Sequence, residues 1–343
     1  MMARMSERVG RVWRLRQRPQ GPLKAGDLVL DEQAVGNPRP DEVVLRTIFL
    51  SLDPTNRIWM SDVDQYLPPV EIGQPMRGVT LGVVEESTSP RFQPGDLVTP
   101  HEGTWSTYQT VSASRLSRIR AAPDLPLSAY MSVLGPPGLT AYVGMLDIGQ
   151  AREGQTVTIS AAAGAVGSVA GQIARARGCR VIGIAGGEEK CRWLTSELSF
   201  DGAVDYKKGR VGEQVRALCP EGIDVHFENV GGAILDAVIP SMRIGGRIAL
   251  CGMISTYNDD GPVLGPREFQ RVLMQRLTIQ GFIIMDHFAR AREAYAEIET
   301  MIRDGRLKWK DHIVDGLENA ADAVNLLFTG QNDGKLMVRV SAA

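Results

Sequence analysis

The 343-residue chain has no uninterrupted apolar run near the roughly 18–20 residues that a membrane-spanning helix needs. Its formal net charge is only −2, so nothing directs it to nucleic acid or to an anionic membrane surface. Cysteine is scarce: Cys179, Cys191, Cys219 and Cys251 stand 12, 28 and 32 residues apart. That spacing contains none of the close pairs of a zinc site and no secreted disulfide framework. His101, His226, His287 and His312 are as scattered, and no metal site is expected. There is no internal repeat and no low-complexity segment.

What is present is ordinary for a soluble globular protein, with 43% hydrophobic and 23% charged residues. The length exceeds what one compact core usually serves, which predicts two domains. The opening MMARMSERVGRVWRLRQRP is arginine-rich and invites a transit-peptide reading. No Ser-rich stretch or cleavage-like site follows, and Arg11 to Leu15 alternate as a half-buried strand would. A cytoplasmic location is therefore the default expectation.

The first 130 residues hold short β-like runs, such as Glu42–Ile48, Thr80–Val84 and Asp96–Thr99, with Gly and Pro between them. That spacing predicts a small all-β module. The texture changes near GPPGLTAY (135–142). From there to about 285, runs at 156–160, 180–185, 202–206, 223–229, 246–252 and 277–284 alternate with helical patterns. Such alternation is the mark of βαβ units and a parallel sheet. A helical stretch at 292–305 leads to a last run, KLMVRV (335–340), which is expected to return to the β module.

The stretch TVTISAAAGAVGSVAG (156–171) carries the strongest functional signal. Gly164 and Gly167 fit the second and third glycines of G-x-G-x-x-G, with Ala162 in place of the first. Small residues let the backbone turn sharply and approach a pyrophosphate, whose charge the first N–H groups of the next helix then face. Val166, Val169, Ala170, Ile173 and Ala174 mark the apolar face of that helix, and Gly178 stands at its end. An NAD site needs an acid at the end of the second strand. Here Gly186 and Gly187 stand instead, followed by Glu188, Glu189 and Lys190, with Tyr206 at the end of the third strand. A cation and a phenol beside a vacant position suit the 2′-phosphate of NADP(H), while the two glutamates suit a helix start.

These stretches, with LSLDPTNRIWM (50–60), GLTAY (138–142), FENVGG (227–232), CGMISTYN (251–258), GFII (281–284) and LENAADAVNLLFTGQNDGK (317–335), cover almost the whole chain. In this order they resemble the medium-chain dehydrogenase/reductase superfamily, and within it the prostaglandin reductase and curcumin reductase family of NADPH-dependent enone reductases. The resemblance implies an α/β protein: a doubly wound Rossmann domain over 131–309, and a GroES-like β-barrel domain over 1–130 and 310–343. It also implies an active site between the domains, a cytosolic homodimer and no catalytic zinc. It assigns the phosphate loop to Gly164, Ala165, Val166 and Gly167, and the 2′-phosphate to Lys190 and Tyr206. Asn229 lines the cofactor. Cys251, Tyr257, the backbone of Phe282, Ile283 and Ile284, and Asn332 surround its nicotinamide half. The chain departs from the family at Thr55, Asn56 and Pro136, and the first two fall where the substrate pocket begins.

Reducing a conjugated C=C needs hydride delivery to the β-carbon over roughly 3–3.5 Å and a donor at the carbonyl oxygen, where charge develops. Tyr257 is the first candidate donor, because a phenol with a pKa of about 10 stays protonated near neutrality; the cofactor's ribose hydroxyl could share the role. Tyr66, in the DQYLPP loop, is a second catalytic or substrate-binding candidate, and Arg57 a third substrate contact. Asp53 reads as a turn former before Pro54. Three functions remain open on the sequence: an enone or enal reductase, a quinone reductase, and an NADPH-binding regulatory protein with little catalysis.

Overall fold

The computed structural model describes residues 8–259 and 261–343, so the first seven residues of the arginine-rich opening lie outside it. The chain forms two compact units. One holds the chain up to Met131, His312–Gln331 and Leu336–Ala343. The other holds Ser132–Asp311 and Asn332–Lys335.

In the first unit the alternating opening is a strand, Arg8–Leu15, paired antiparallel with Leu28–Val35. A seven-stranded sheet is built around Glu42–Ser51, which pairs with Thr80–Ser87, Tyr108–Ser112 and Lys335–Arg339. The central position of Glu42–Ser51 explains its run of apolar residues, buried on both faces: Val43, Val44, Leu45 and Leu50 have no exposed surface. The returning strand supplies Leu336 and Val338 to a core that also contains Leu15, Leu52, Trp59, Met60, Met76, Trp105 and Leu317. The chain's end is thus part of this unit's interior, as the last β-like run predicts.

The second unit is a six-stranded parallel sheet. Its strands are β1 (Thr156–Ile159), β2 (Arg180–Ala185), β3 (Gly202–Asp205), β4 (Ile223–Glu228), β5 (Met242–Leu250) and β6 (Thr278–Gly281). Their spatial order is β3-β2-β1-β4-β5-β6, the doubly wound order in which crossovers leave β1 and β4 in opposite directions. Helix α1 (Ala165–Ala176) follows β1, and α2 (Glu188–Ser196) follows β2. The predicted face of α1 is the buried one, with Val169, Ala170, Ile173 and Ala174 fully covered. Gly178 ends α1 at φ +78°, and Cys179 N–H returns to Ala174 C=O at 3.1 Å.

The unit boundaries fall one and two residues past the expected 130/131 and 309/310, and residues 332–335 belong to the second unit rather than the first. The reason for the latter is hydrogen bonding. Gly334 forms a parallel bridge with Gly164, and Lys335 N–H donates to Lys310 C=O at 2.9 Å.

Gly138, in the helix Pro136–Val143, has no room for a side chain: a Cβ there would lie 1.8 Å from the Val133 carbonyl oxygen. The obstacle is backbone, which cannot rotate away. Gly138→Ala is expected to destabilise the protein by about 2 kcal/mol or more despite the better helix propensity of alanine, read as a lower urea midpoint.

Candidate active site

In an open α/β sheet, ligands bind outside the carboxyl ends of the strands, where the strand order reverses. Here that point lies between β1 and β4. The loop leaving β1 turns at Ala161, which sits at φ +47°, and is tied back by Ala162 N–H to Ile184 C=O at 3.0 Å. Gly167 starts α1 so close to this turn that a Cβ would meet Ala161 O at 2.5 Å. That close approach is why a glycine stands there. Gly164 is the N-cap of α1, and Ala165 and Val166 open its first turn. Gly164 also carries the bridge to Gly334, which brings Asn332 to this end of the sheet. The Asn332 amide donates to Gly334 C=O at 2.9 Å.

At the end of β2, Gly186 and Gly187 run into α2. A Cβ on Gly186 would strike the Tyr206 ring at 2.7 Å, so glycine lets the phenol ring lie across this turn. Gly187, at φ +95°, has open space where a Cβ would point. Asp205 fixes both sides of the turn, accepting from Gly187 N–H at 2.8 Å and Lys207 N–H at 3.0 Å. Burial lowers the Lys190 pKa, and Lys207 and Lys310 push the same way while Asp333 opposes them. Burial raises that of the Tyr206 phenol, with Asp205 adding to the rise. Lys310 itself pairs with Asp333 at 3.0 Å and lies over the Trp193 ring. Lys190, Lys207 and Lys310 thus act on one another at this corner, with Asp333 among them.

At the end of β4, Glu228 C=O accepts from Cys251 and Gly252 N–H, Asn229 C=O from Ile254 N–H, and Val230 C=O from Ser255 N–H. These four bonds join the 228–231 turn to the segment after β5. Tyr257 closes that segment: Met253 N–H donates to its phenol oxygen at 2.9 Å, and the oxygen lies beside Gly252. Desolvation pushes the Cys251 thiol up to about 12, and Glu228 adds to the rise. Phe282 packs edge-on against Phe227 of β4 at 6.3 Å, which carries Ile283 and Ile284 to the same end of the sheet. Burial alone would raise Glu228, but His226, Ser160 and Val230 N–H outweigh it and hold the carboxyl below its usual range.

The first unit holds the other candidates. Tyr66 is 41% exposed and its hydroxyl bonds the Thr55 hydroxyl. Desolvation of the phenol is the main cause that raises its pKa. Arg57 is buried, and its guanidinium donates to Gly21 C=O, Pro19 C=O and the Ser61 hydroxyl. It braces the 19–21 loop against the helix Thr55–Trp59. Asn56 is buried and accepts from Asp53 N–H at 2.7 Å, so Asp53 and Asn56 form a turn. Pro136 occupies the first turn of its helix, where no N–H is missed.

Residues 11–119 match the family model described as N-terminal domain of oxidoreductase, and residues 165–302 match the one described as Zinc-binding dehydrogenase. The NADPH-dependent curcumin reductase of Escherichia coli (strain K12) is 42% identical over 96% of this chain and 97% of its own. The chain belongs to the prostaglandin reductase and curcumin reductase family of the medium-chain dehydrogenase/reductases. Within that family, the 2-alkenal reductase (NADP(+)-dependent) of Nicotiana tabacum is 37% identical over 88% of each chain. CurA from Vibrio vulnificus, solved in complex with NADPH, superimposes with a TM-score of 0.92 at 41% identity, covering 97% of this chain and all of that one. Among the described residues, no group of three or more His, Cys, Asp or Glu is placed to hold a metal ion.

Several residues at this end of the sheet leave no local sign in the sequence. Gly334, Lys310 and Asp333 reach it from more than a hundred residues away, and no local pattern announces that. Ser160, His226 and Glu228 did leave a signal: they are polar residues in strands whose central place in a parallel sheet calls for apolar ones.

Proposed function

We propose that the protein reduces the C=C bond of α,β-unsaturated ketones and aldehydes, taking its hydride from NADPH, without zinc and in the cytoplasm. The observation that carries this reading is the Tyr257 phenol, held by Met253 N–H beside the turn that β4 and β5 build at the reversal point of the sheet. The activities for which its relatives are named, curcumin reduction and 2-alkenal reduction with NADP(H), support it.

The residues fit the cofactor. The first turn of α1 offers N–H groups to the pyrophosphate with no side chain in the way at Gly164 and Gly167. No acid stands at the end of β2 to meet a ribose 2′-hydroxyl; Gly187 leaves space there, with Lys190 and Tyr206 alongside. That donor set suits a 2′-phosphate. Asn229, Cys251, Asn332 and the backbone of Phe282 to Ile284 would line the nicotinamide half.

NADPH, when bound, supplies the hydride. The chain's own work is to hold the enone with its β-carbon within reach and to stabilise the charge that grows on its carbonyl oxygen. Tyr257 donates to that oxygen; accepting from Met253 N–H polarises its own O–H.

Purified protein is expected to oxidise NADPH with an enone or enal, giving the saturated carbonyl, with little turnover on NADH. Turnover on quinones alone would make it a quinone reductase, and tight NADPH binding without turnover on any acceptor would make it a binding protein. Tyr257→Phe should lower kcat about a hundredfold while leaving NADPH affinity in place; an unchanged kcat would remove Tyr257 from the donor role. Lys190→Ala should cut the preference for NADPH over NADH by about tenfold or more, seen in the two kcat/KM values.

The same reading includes a homodimer. Strand β6 ends the parallel sheet, and Leu264, Phe269, Leu273, Met274 and Phe288, just before and after it in the chain, are each more than half exposed. An open strand edge flanked by exposed apolar side chains suits a second copy of the chain. Light scattering should return twice 37.3 kDa, and Leu273→Glu should shift the population toward the single-chain mass.

A further inference from the structure

A chain of polar side chains runs through the middle of the second unit, where none is needed for a parallel sheet to form. Thr158, Ser160, His226 and Glu228 have no exposed surface. The Thr158 hydroxyl meets His226 Nδ1 at 2.8 Å, and His226 Nε2 meets Glu228 Oε2 at 3.0 Å. Glu228 Oε1 accepts from the Ser160 hydroxyl and from the N–H groups of Val230 and Gly231. The Ser160 hydroxyl accepts in turn from Asn229 N–H at 2.7 Å, and the Asn229 amide donates to Ser160 C=O at 2.7 Å.

A buried carboxylate is a poor way to stabilise a sheet, since an apolar residue of the same volume would cost less to bury. Its position explains it better. Ser160 follows β1 and Glu228 ends β4, so the chain bolts together the two strands at which the crossovers part. Its outlets all lie on one turn: Asn229, whose amide is clamped at its nitrogen and therefore presents its oxygen elsewhere, and the N–H groups of 230 and 231. That turn in turn holds Cys251, Gly252, Ile254 and Ser255 through its carbonyls. We infer that Glu228, supported by Ser160 and His226, is a positioning residue that holds Asn229 and the 229–231 turn in the shape that receives the nicotinamide half of the cofactor. This rests on the NADPH reading above.

The geometry prescribes which change the network tolerates. A glutamine at 228 can accept at its oxygen from Ser160, Val230 and Gly231 and donate from its amide to His226 Nε2, provided the imidazole carries its proton on Nδ1 toward Thr158. An alanine leaves those donors without their acceptor.

The test uses the full-length protein and two ligands, NADPH and 2′,5′-ADP, the second being the phosphorylated adenosine end without nicotinamide. Affinities are read by fluorescence titration and calorimetry. For Glu228→Ala, NADPH binding should weaken about tenfold while 2′,5′-ADP binding stays as in the unaltered protein. Glu228→Gln should bind NADPH within about threefold of the unaltered protein. Should Glu228→Ala not fold, Ser160→Ala, which removes the hydroxyl bonded to Glu228 and to Asn229 N–H, carries the same expectation for the two ligands. Equal weakening of both ligands would mean a general loosening of the unit and would overturn the inference, as would unchanged NADPH affinity. If the unaltered protein binds 2′,5′-ADP and NADPH equally well, the nicotinamide half makes no contact and the inference falls while the coenzyme assignment stands. If it binds neither, the NADPH reading itself falls.

Discussion

The parting of the crossovers at β1 and β4 is the constraint on which the rest of this structure depends. Parallel strands joined by right-handed crossovers must send their helices to opposite faces on the two sides of such a point. The loops leaving the two strands therefore separate and cannot cover the carboxyl ends between them. Everything that gives the second unit chemical character is arranged around this opening. The Ala161–Gly167 loop borders it on one side and the Asn229–Gly231 turn on the other. The polar chain from Thr158 to Glu228 spans it beneath.

Around the opening the chain uses glycine where backbone must approach backbone and charge where a ligand's charge must be met. Gly167 is needed because α1 begins against Ala161, and Gly186 because Tyr206 lies across the turn. The lysines that act on one another here come from three separate segments, around 190, 207 and 310. Burial disfavours the charged form of Lys190, and repulsion from Lys207 and Lys310 adds to it. Asp333 offsets part of it, and it arrives on the short segment that Gly164 ties to the second unit.

That segment also shows how the two units share a chain. Residues 332–335 belong to the second unit, and the next residue begins the first unit's share of the strand Lys335–Arg339. The tie at Gly334 has no room for a side chain, since a Cβ would sit 2.1 Å from Lys310 O.

Much of this was legible in the sequence. Periodicity alone located all six parallel strands to within a few residues, because buried central strands must be apolar and the turns between them need glycine. The helix face of α1 and its glycine end follow from the same rules. The small residues at 161–167 and the missing acid after β2 were readable too, since each reports a local steric or electrostatic demand. The backbone carbonyls that the Arg57 guanidinium finds were not readable, since they lie 36 and 38 residues back in the chain. The return of 332–335 to the second unit, the cation cluster at Lys190 and the bolt between Ser160 and Glu228 were decided only by tertiary structure. Each depends on segments brought together across about 70 to 170 residues, and hydrogen bonds over such distances obey the topology of the sheet, which no local pattern of side chains encodes.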